Sequence, residues 1–93
     1  MDKYQIFETK TFQEDLAAIS KAGLQKINDK LHEHVYPQLR VEPHFGLNIK
    51  KLKNWIPATW RYRIGSWRFF YEINEKEKTV YMIAADHRSS AYR

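Results

Sequence analysis

The sequence predicts an α+β fold in which an N-terminal strand and an α-hairpin pack on a small, mainly antiparallel, twisted sheet of about four strands. Three observations carry this reading. Phe12, Leu16 and Ile19, then Leu24, Ile27, Leu31 and Val35, recur at helical spacing on either side of Gly23. Thr59 to Ile64 and Trp67 to Ile73 alternate in period two about a Gly65-Ser66 turn. Thr79 to Ala85 is apolar on both faces, as a strand buried within a sheet must be. With 93 residues and no long polar linker, the chain is expected to form one domain over residues 1–93 around a modest core.

In chain order, Tyr4 to Phe7 is rich in β-formers and supplies the first strand. Thr11-Phe12-Gln13-Glu14 reads as a capping box, because a threonine is followed three residues later by a glutamate. The first helix breaks at Gly23 and the second runs up to Pro37, which removes a backbone donor. The apolar stripe of both helices is core and carries no chemistry. Residues 37–57 read as loop with short extended pieces, punctuated by Pro43, Gly46, Asn48 and Asn54.

Gly65 sits at the first central position of a two-residue II′ turn, and that turn fixes the register. Ile64 pairs with Trp67, Arg63 with Arg68, Tyr62 with Phe69, and Arg61 with Phe70. Trp60, Tyr62, Ile64, Trp67, Phe69, Tyr71 and Ile73 then share the core face, whereas Arg61, Arg63, Arg68, Phe70 and Glu72 share the other. Two arginines thus stand directly opposite each other, an arrangement that costs stability and that folding does not require. Glu72 is the expected ion-pair partner of Arg68. A polar connection from Asn74 to Lys78 leads to the last strand.

Between Glu42 and Glu72 there is no acidic residue, yet that window holds Lys50, Lys51, Lys53, Arg61, Arg63 and Arg68 among seven aromatic residues from Trp55 to Tyr71. Such a surface calls for a polyanion, with RNA the first expectation. The net charge of +5 accompanies 43% hydrophobic and 15% aromatic residues, which excludes a disordered basic tail. The absence of cysteine rules out disulfides and thiolate metal sites and suits a reducing compartment. No signal-like apolar stretch opens the chain and no apolar run approaches the ~20 residues of a membrane span, so a cytoplasmic location away from membranes is expected. His32 and His34 point to different sides of a helix and His44 is isolated, so neither a metal nor another cofactor is expected.

These residues suit metal-free phosphodiester cleavage, in which a ribose 2′-hydroxyl attacks the adjacent phosphorus. Arg61, Arg63 and Arg68 can stabilise the over-charged phosphate, but a guanidinium cannot act as base. The proton transfers need His87, Tyr92 or Glu72, and a carboxylate paired with arginine is a poor base. Phe70 shares the arginine face and can stack an unpaired base, while Lys50, Lys51 and Lys53 can follow a phosphate backbone. Trp60 and Trp67 are core.

The segments Lys51-Leu52-Lys53, Trp60 to Ile73 and His87-Arg88-Ser89-Ser90-Ala91-Tyr92 resemble the RelE/ParE superfamily of toxins from type II toxin–antitoxin modules. The likeness covers nearly the whole chain, its specific part is residues 51–92, and the RelE branch is the nearer of the two. By position, the resemblance makes Arg61 and Arg63 the paired basic residues of ribosome-dependent nucleases, and Arg68 and Arg88 catalytic arginines. It makes Tyr92 a stacking or proton-transferring tyrosine, and branches with a histidine near the C-terminus raise His87. Lysines often stand where this chain has Arg61 and Arg63, and little room follows Tyr92 for a C-terminal helix. The implied activity is cleavage of mRNA in the ribosomal A site, beside rRNA, with growth arrest. The implied partner is an acidic antitoxin that wraps the basic cleft and links the toxin to operator DNA. Two alternatives stand beside this reading: a ParE-like inhibitor of DNA gyrase, and an inactive relative that retains RNA or antitoxin binding.

Overall fold

The computed structural model of the protein describes residues 2–20 and 26–87. The expected break at Gly23, with Leu24, and the C-terminal site residues Arg88 and Tyr92 lie outside them. The chain runs β1 (Gln5–Glu8), α1 (Lys10–Ser20), α2 (Ile27–Lys30), a π-helical turn (Leu31–Val35), α3 (Tyr36–Val41), β2 (Ile49–Lys51), β3 (Trp60–Ile64), β4 (Trp67–Asn74) and β5 (Thr79–His87). The strands form one mixed sheet in the order β1-β5-β4-β3-β2, in which only β1 and β5 run parallel. The expected α+β architecture is therefore present, with five strands among the described residues instead of about four. The additional strand, β2, lies in the segment expected to be loop with short extended pieces, and it is a three-residue edge piece too short to show periodicity.

The helices cover one face of the sheet. Phe12 of α1, Leu31 and Val35 of the π turn and Leu39 of α3 are fully buried against Phe69, Tyr71, Val80 and Met82. Ring contact between Phe12 and Phe69 ties the first helix to the central strand. The Tyr71 hydroxyl donates to the Pro43 carbonyl at 2.7 Å and that of Tyr62 to Gln38 Oε1 at 2.7 Å, so the core phenols fasten α3 and the loop after it to the sheet. Burial pushes the Tyr71 phenol well above its ordinary range and keeps it a neutral donor.

Three local readings are corrected. The cap of α1 is Thr9, not Thr11: Thr9 Oγ1 accepts from the Phe12 amide at 3.2 Å and donates to the Met82 carbonyl at 2.8 Å. The second helical run does not end at Pro37 but continues to Val41. Just before the proline the chain widens into a π turn, in which the Tyr36 amide donates to the carbonyl of Leu31, five residues back, and the proline ring passes without breaking the helix. Glu72 does not pair with Arg68, since it lies four positions further along β4, about 13 Å away at ordinary strand rise.

The hairpin has the expected register, with Ile64↔Trp67, Arg63↔Arg68, Tyr62↔Phe69 and Arg61↔Phe70 all paired, and Gly65 takes φ 59°. The β4–β5 ladder, by contrast, slips once: Phe70 faces Ala84 and Tyr71 faces Met82, leaving Ile83 with no opposite residue. This bulge reverses the parity of β5. Val80 and Met82 point into the core, but beyond the bulge the inward residues are Ala85 and His87, and Asp86 turns to the open face.

Replacing Thr9 by alanine removes both the cap and its link to β5, and should cost about 1–2 kcal/mol in chemical denaturation. Gly65→Ala meets no neighbouring atom, so its expected penalty of about 1 kcal/mol is the left-handed backbone alone. Gly65→Asn should recover most of that loss; equal melting temperatures for the alanine and asparagine variants would contradict the turn assignment.

Candidate nucleic-acid interface

The sheet face away from the helices carries two rows of side chains running across the strands. In one, Lys50 of β2 pairs with Arg61 of β3, and Arg61 with Phe70 of β4, which faces Ala84 of β5. In the next, Arg63 of β3 faces Arg68 of β4, which faces Asp86 of β5. Residues two apart on a strand are separated by about 7 Å and opposed residues by about 5 Å, so Arg61, Arg63 and Arg68 lie within the span of one phosphodiester and its neighbours.

These cations are held differently. Arg68 is ion-paired with Asp86, and both are about two-thirds buried. Arg63 is exposed, and among the described residues neither it, Arg61 nor Lys50 forms a salt bridge. Arg61 Nε is buried without a hydrogen-bond partner among the described residues. An orphaned charged donor is costly, and an acceptor arriving from outside would satisfy it. The contrast is the cluster at His44, whose Nδ1 lies 2.8 Å from Glu42 and whose Nε2 lies 2.6 Å from Glu75. Glu75 also accepts from Lys78 at 3.0 Å and from the Tyr4 hydroxyl at 2.9 Å. The hydrogen bond from Lys78 is the largest influence holding the Glu75 carboxyl below its ordinary range, and that from His44 does the same for Glu42. Charges there are matched, whereas on the open sheet face they are in excess.

Other expected site residues are dispersed. Lys51 points to the opposite side from Lys50 and sets its ammonium 5.5 Å from the centre of the Trp60 ring. Lys53 lies beyond the strand, exposed in the β2–β3 loop. His87 ends β5 on the helix side, with its ring edge-on to Trp67 at 5.0 Å, and so faces away from the arginine rows. Trp60 and Trp67 are buried as expected.

Two participants escaped the sequence reading. Asp86 reaches Arg68 only because of the bulge at Ile83, which no residue pattern announces. Trp55, from the same loop as Lys53, stacks near-parallel to Phe70, with ring centres 6.3 Å apart and 12° between planes. Its signal was an aromatic residue in a polar loop with no place in either alternating strand. Among the described residues no group of three or more histidines and carboxylates is arranged to hold a metal ion, and no helix is long and apolar enough to cross a membrane.

Comparison with known proteins follows the same lines. The RelBE2 toxin–antitoxin complex of Mycobacterium tuberculosis contains a similar chain, 27% identical, with a TM-score of 0.76 over 96% of this chain and 95% of that one. An archaeal RelE–RelB complex from Pyrococcus horikoshii is 21% identical, with a TM-score of 0.70 over 92% and 96%. A mutant of the E. coli toxin RelE in the free state is 16% identical, with a TM-score of 0.66 over 99% and 90%. No curated protein sequence matches the chain significantly. The model of the ParE toxin of the type II toxin–antitoxin system parDE matches residues 6–92. The chain therefore belongs to the ParE toxin family of type II toxin–antitoxin systems, within the RelE/ParE superfamily.

Proposed function

We propose that this toxin is a metal-independent endoribonuclease that cuts mRNA in the ribosomal A site and so arrests translation. The observation that carries the reading is the pair of cationic rows on the open sheet face, where Lys50, Arg61, Arg63 and Arg68 converge from three adjacent strands. In the reaction the 2′-oxygen forms a bond to phosphorus and loses its proton, while the P–O5′ bond breaks and O5′ gains one. Arg61, Arg63 and Arg68 serve the over-charged phosphorus between those events, and Arg61 Nε supplies a donor that lacks an acceptor among the described residues. Arg88 is a further catalytic arginine, and His87 and Tyr92 remain the candidates for the proton transfers. Docking on the ribosome allows rRNA to orient the substrate, so the protein need not contribute a complete acid–base pair. Lys50 and Lys53 contact the phosphate backbone, whereas Lys51, turned to the helix side over Trp60, does not.

A cognate acidic antitoxin neutralises the same face by matching its charge. The likeness to a chain of the RelBE2 toxin–antitoxin complex supports such a partner. Operator DNA is reached only through that antitoxin, and the location is cytoplasmic. A second reading, inhibition of DNA gyrase, is favoured by the ParE description of the matched family. The retention of arginines at 61, 63 and 68 on one face argues for the nuclease.

Primer extension on mRNA from expressing cells or ribosome complexes distinguishes the two. Codon-periodic cuts should appear with the wild type, fall by about 100-fold or more in Arg68→Ala, as for loss of one donor to a charged transition state, and fall again in Tyr92→Phe. Trapped gyrase–DNA breaks without mRNA cuts would refute the nuclease reading.

Asp86→Asn separates binding from chemistry. Releasing Arg68 from its carboxylate should tighten RNA binding at low salt and steepen the dependence of log K on log salt by up to about one unit. The cost in stability should stay within about 1 kcal/mol, since the pair is partly exposed to solvent. Fluorescence anisotropy against salt concentration provides the measurement, and a shallower slope would contradict the role given to Arg68.

A further inference from the structure

We infer that Trp55 is the platform on which this protein stacks an unpaired nucleobase, so that the β2–β3 loop grips the base while the sheet face holds its phosphate. The inference rests on the RNA-directed reading above and names a binding residue that reading does not contain.

Exposure of one indole would mean little by itself. Here several observations meet at one place. Trp55 is 52% exposed, whereas Trp60 and Trp67 are 9% and 7% exposed and serve the core. Its ring is not adrift but fixed near-parallel to Phe70, which makes a preset aromatic shelf with little rotamer freedom left to lose on binding. Phe70 is in turn the cross-strand partner of Arg61, whose Nε has no acceptor among the described residues, so the shelf borders a donor suited to a phosphate oxygen. On the loop side Trp55 walls a cleft of about 420 Å³ together with Lys53 and Asn54, and Lys53 is an exposed cation two residues from it in the same loop. An aromatic surface flanked by cations, adjoining an unsatisfied guanidinium donor, matches a single-stranded polynucleotide: bases stack without sequence demand while phosphates track the charges. An acidic protein segment would use the cations but has no general need for a flat stacking surface.

Because the other two tryptophans are buried, the quenchable fluorescence of the intact protein reports on Trp55. Titration with an unstructured oligoadenylate of about eight nucleotides should quench that emission and shield it from acrylamide, whereas inorganic polyphosphate of matched charge should bind without doing either. Trp55→Ala should weaken oligoadenylate binding by about 5- to 100-fold with the salt slope unchanged, since stacking of one base is lost and no phosphate contact is. Trp55→Phe should restore most of the affinity. The side chain lies outside the core, so circular dichroism of the variants should match the wild type. The proposal is overturned if Trp55→Ala binds oligoadenylate as tightly as the wild type, including the case in which it loses affinity only for an acidic partner protein. Failure of the wild type to bind either polyanion would instead bring down the RNA-directed reading on which the proposal stands.

Discussion

Strict alternation of side chains across a sheet means that whichever residues face the helices cannot also face a ligand, and in this toxin that constraint settles the division of labour. Burial of Trp60, Tyr62, Trp67, Phe69 and Tyr71 on the helix side forces Arg61, Arg63, Arg68 and Phe70 to the other. The hydrophobic effect thus positions the cations, although none of them takes part in it. A register slip of one residue in the β3–β4 hairpin would expose the aromatic core and bury the arginines together. The functional face is therefore as secure as the core itself.

The bulge at Ile83 adds what alternation alone cannot. With unbroken parity β5 would carry Val80, Met82, Ala84 and Asp86 inward, and the carboxylate would be buried among aromatic rings at a heavy cost. One extra residue turns Asp86 to the open face opposite Arg68 and His87 toward Trp67. The third strand thereby supplies the counter-charge that lets Arg63 and Arg68 stand opposed. An anionic ligand would do the same for Arg61 and Arg63, relieving repulsion that folding leaves in place.

Features encoded by local period and turn chemistry were legible in the sequence, and features created by competition between elements were not. The hairpin register followed from Gly65, whose turn leaves no choice of pairing, and the core faces followed from alternation. The N-cap was misplaced by two residues because Thr11 with Glu14 fits the capping pattern, while Thr9 is chosen by a tertiary bond to Met82 that no local pattern contains. Pro37 reads as a stop because a proline usually ends a helix, and a π turn that accommodates it leaves no mark on composition. Within the candidate site, Lys50 to Lys53 looked like one basic cluster, but strand parity sends Lys50 and Lys51 to opposite sides.

On the proposed reading one basic face meets both an RNA substrate and an acidic antitoxin, and the geometry bears on how a single surface could serve both. Lys50, Arg61 and Arg63 carry no carboxylate partner among the described residues, so any extended polyanion can claim them. Discrimination must then come from features charge does not provide. The clefted loop with its stacked Trp55 and Phe70 lies beside those cations on one side, and the Arg68–Asp86 pair bounds them on the other. A flat ring favours a base over a carboxylate, and a ligand competing with Asp86 for Arg68 would have to offer the guanidinium more than one oxygen. On the proposed reading, selectivity for a nucleotide over an acidic peptide would arise at the margins of the cationic rows, from one aromatic shelf and one opposing charge.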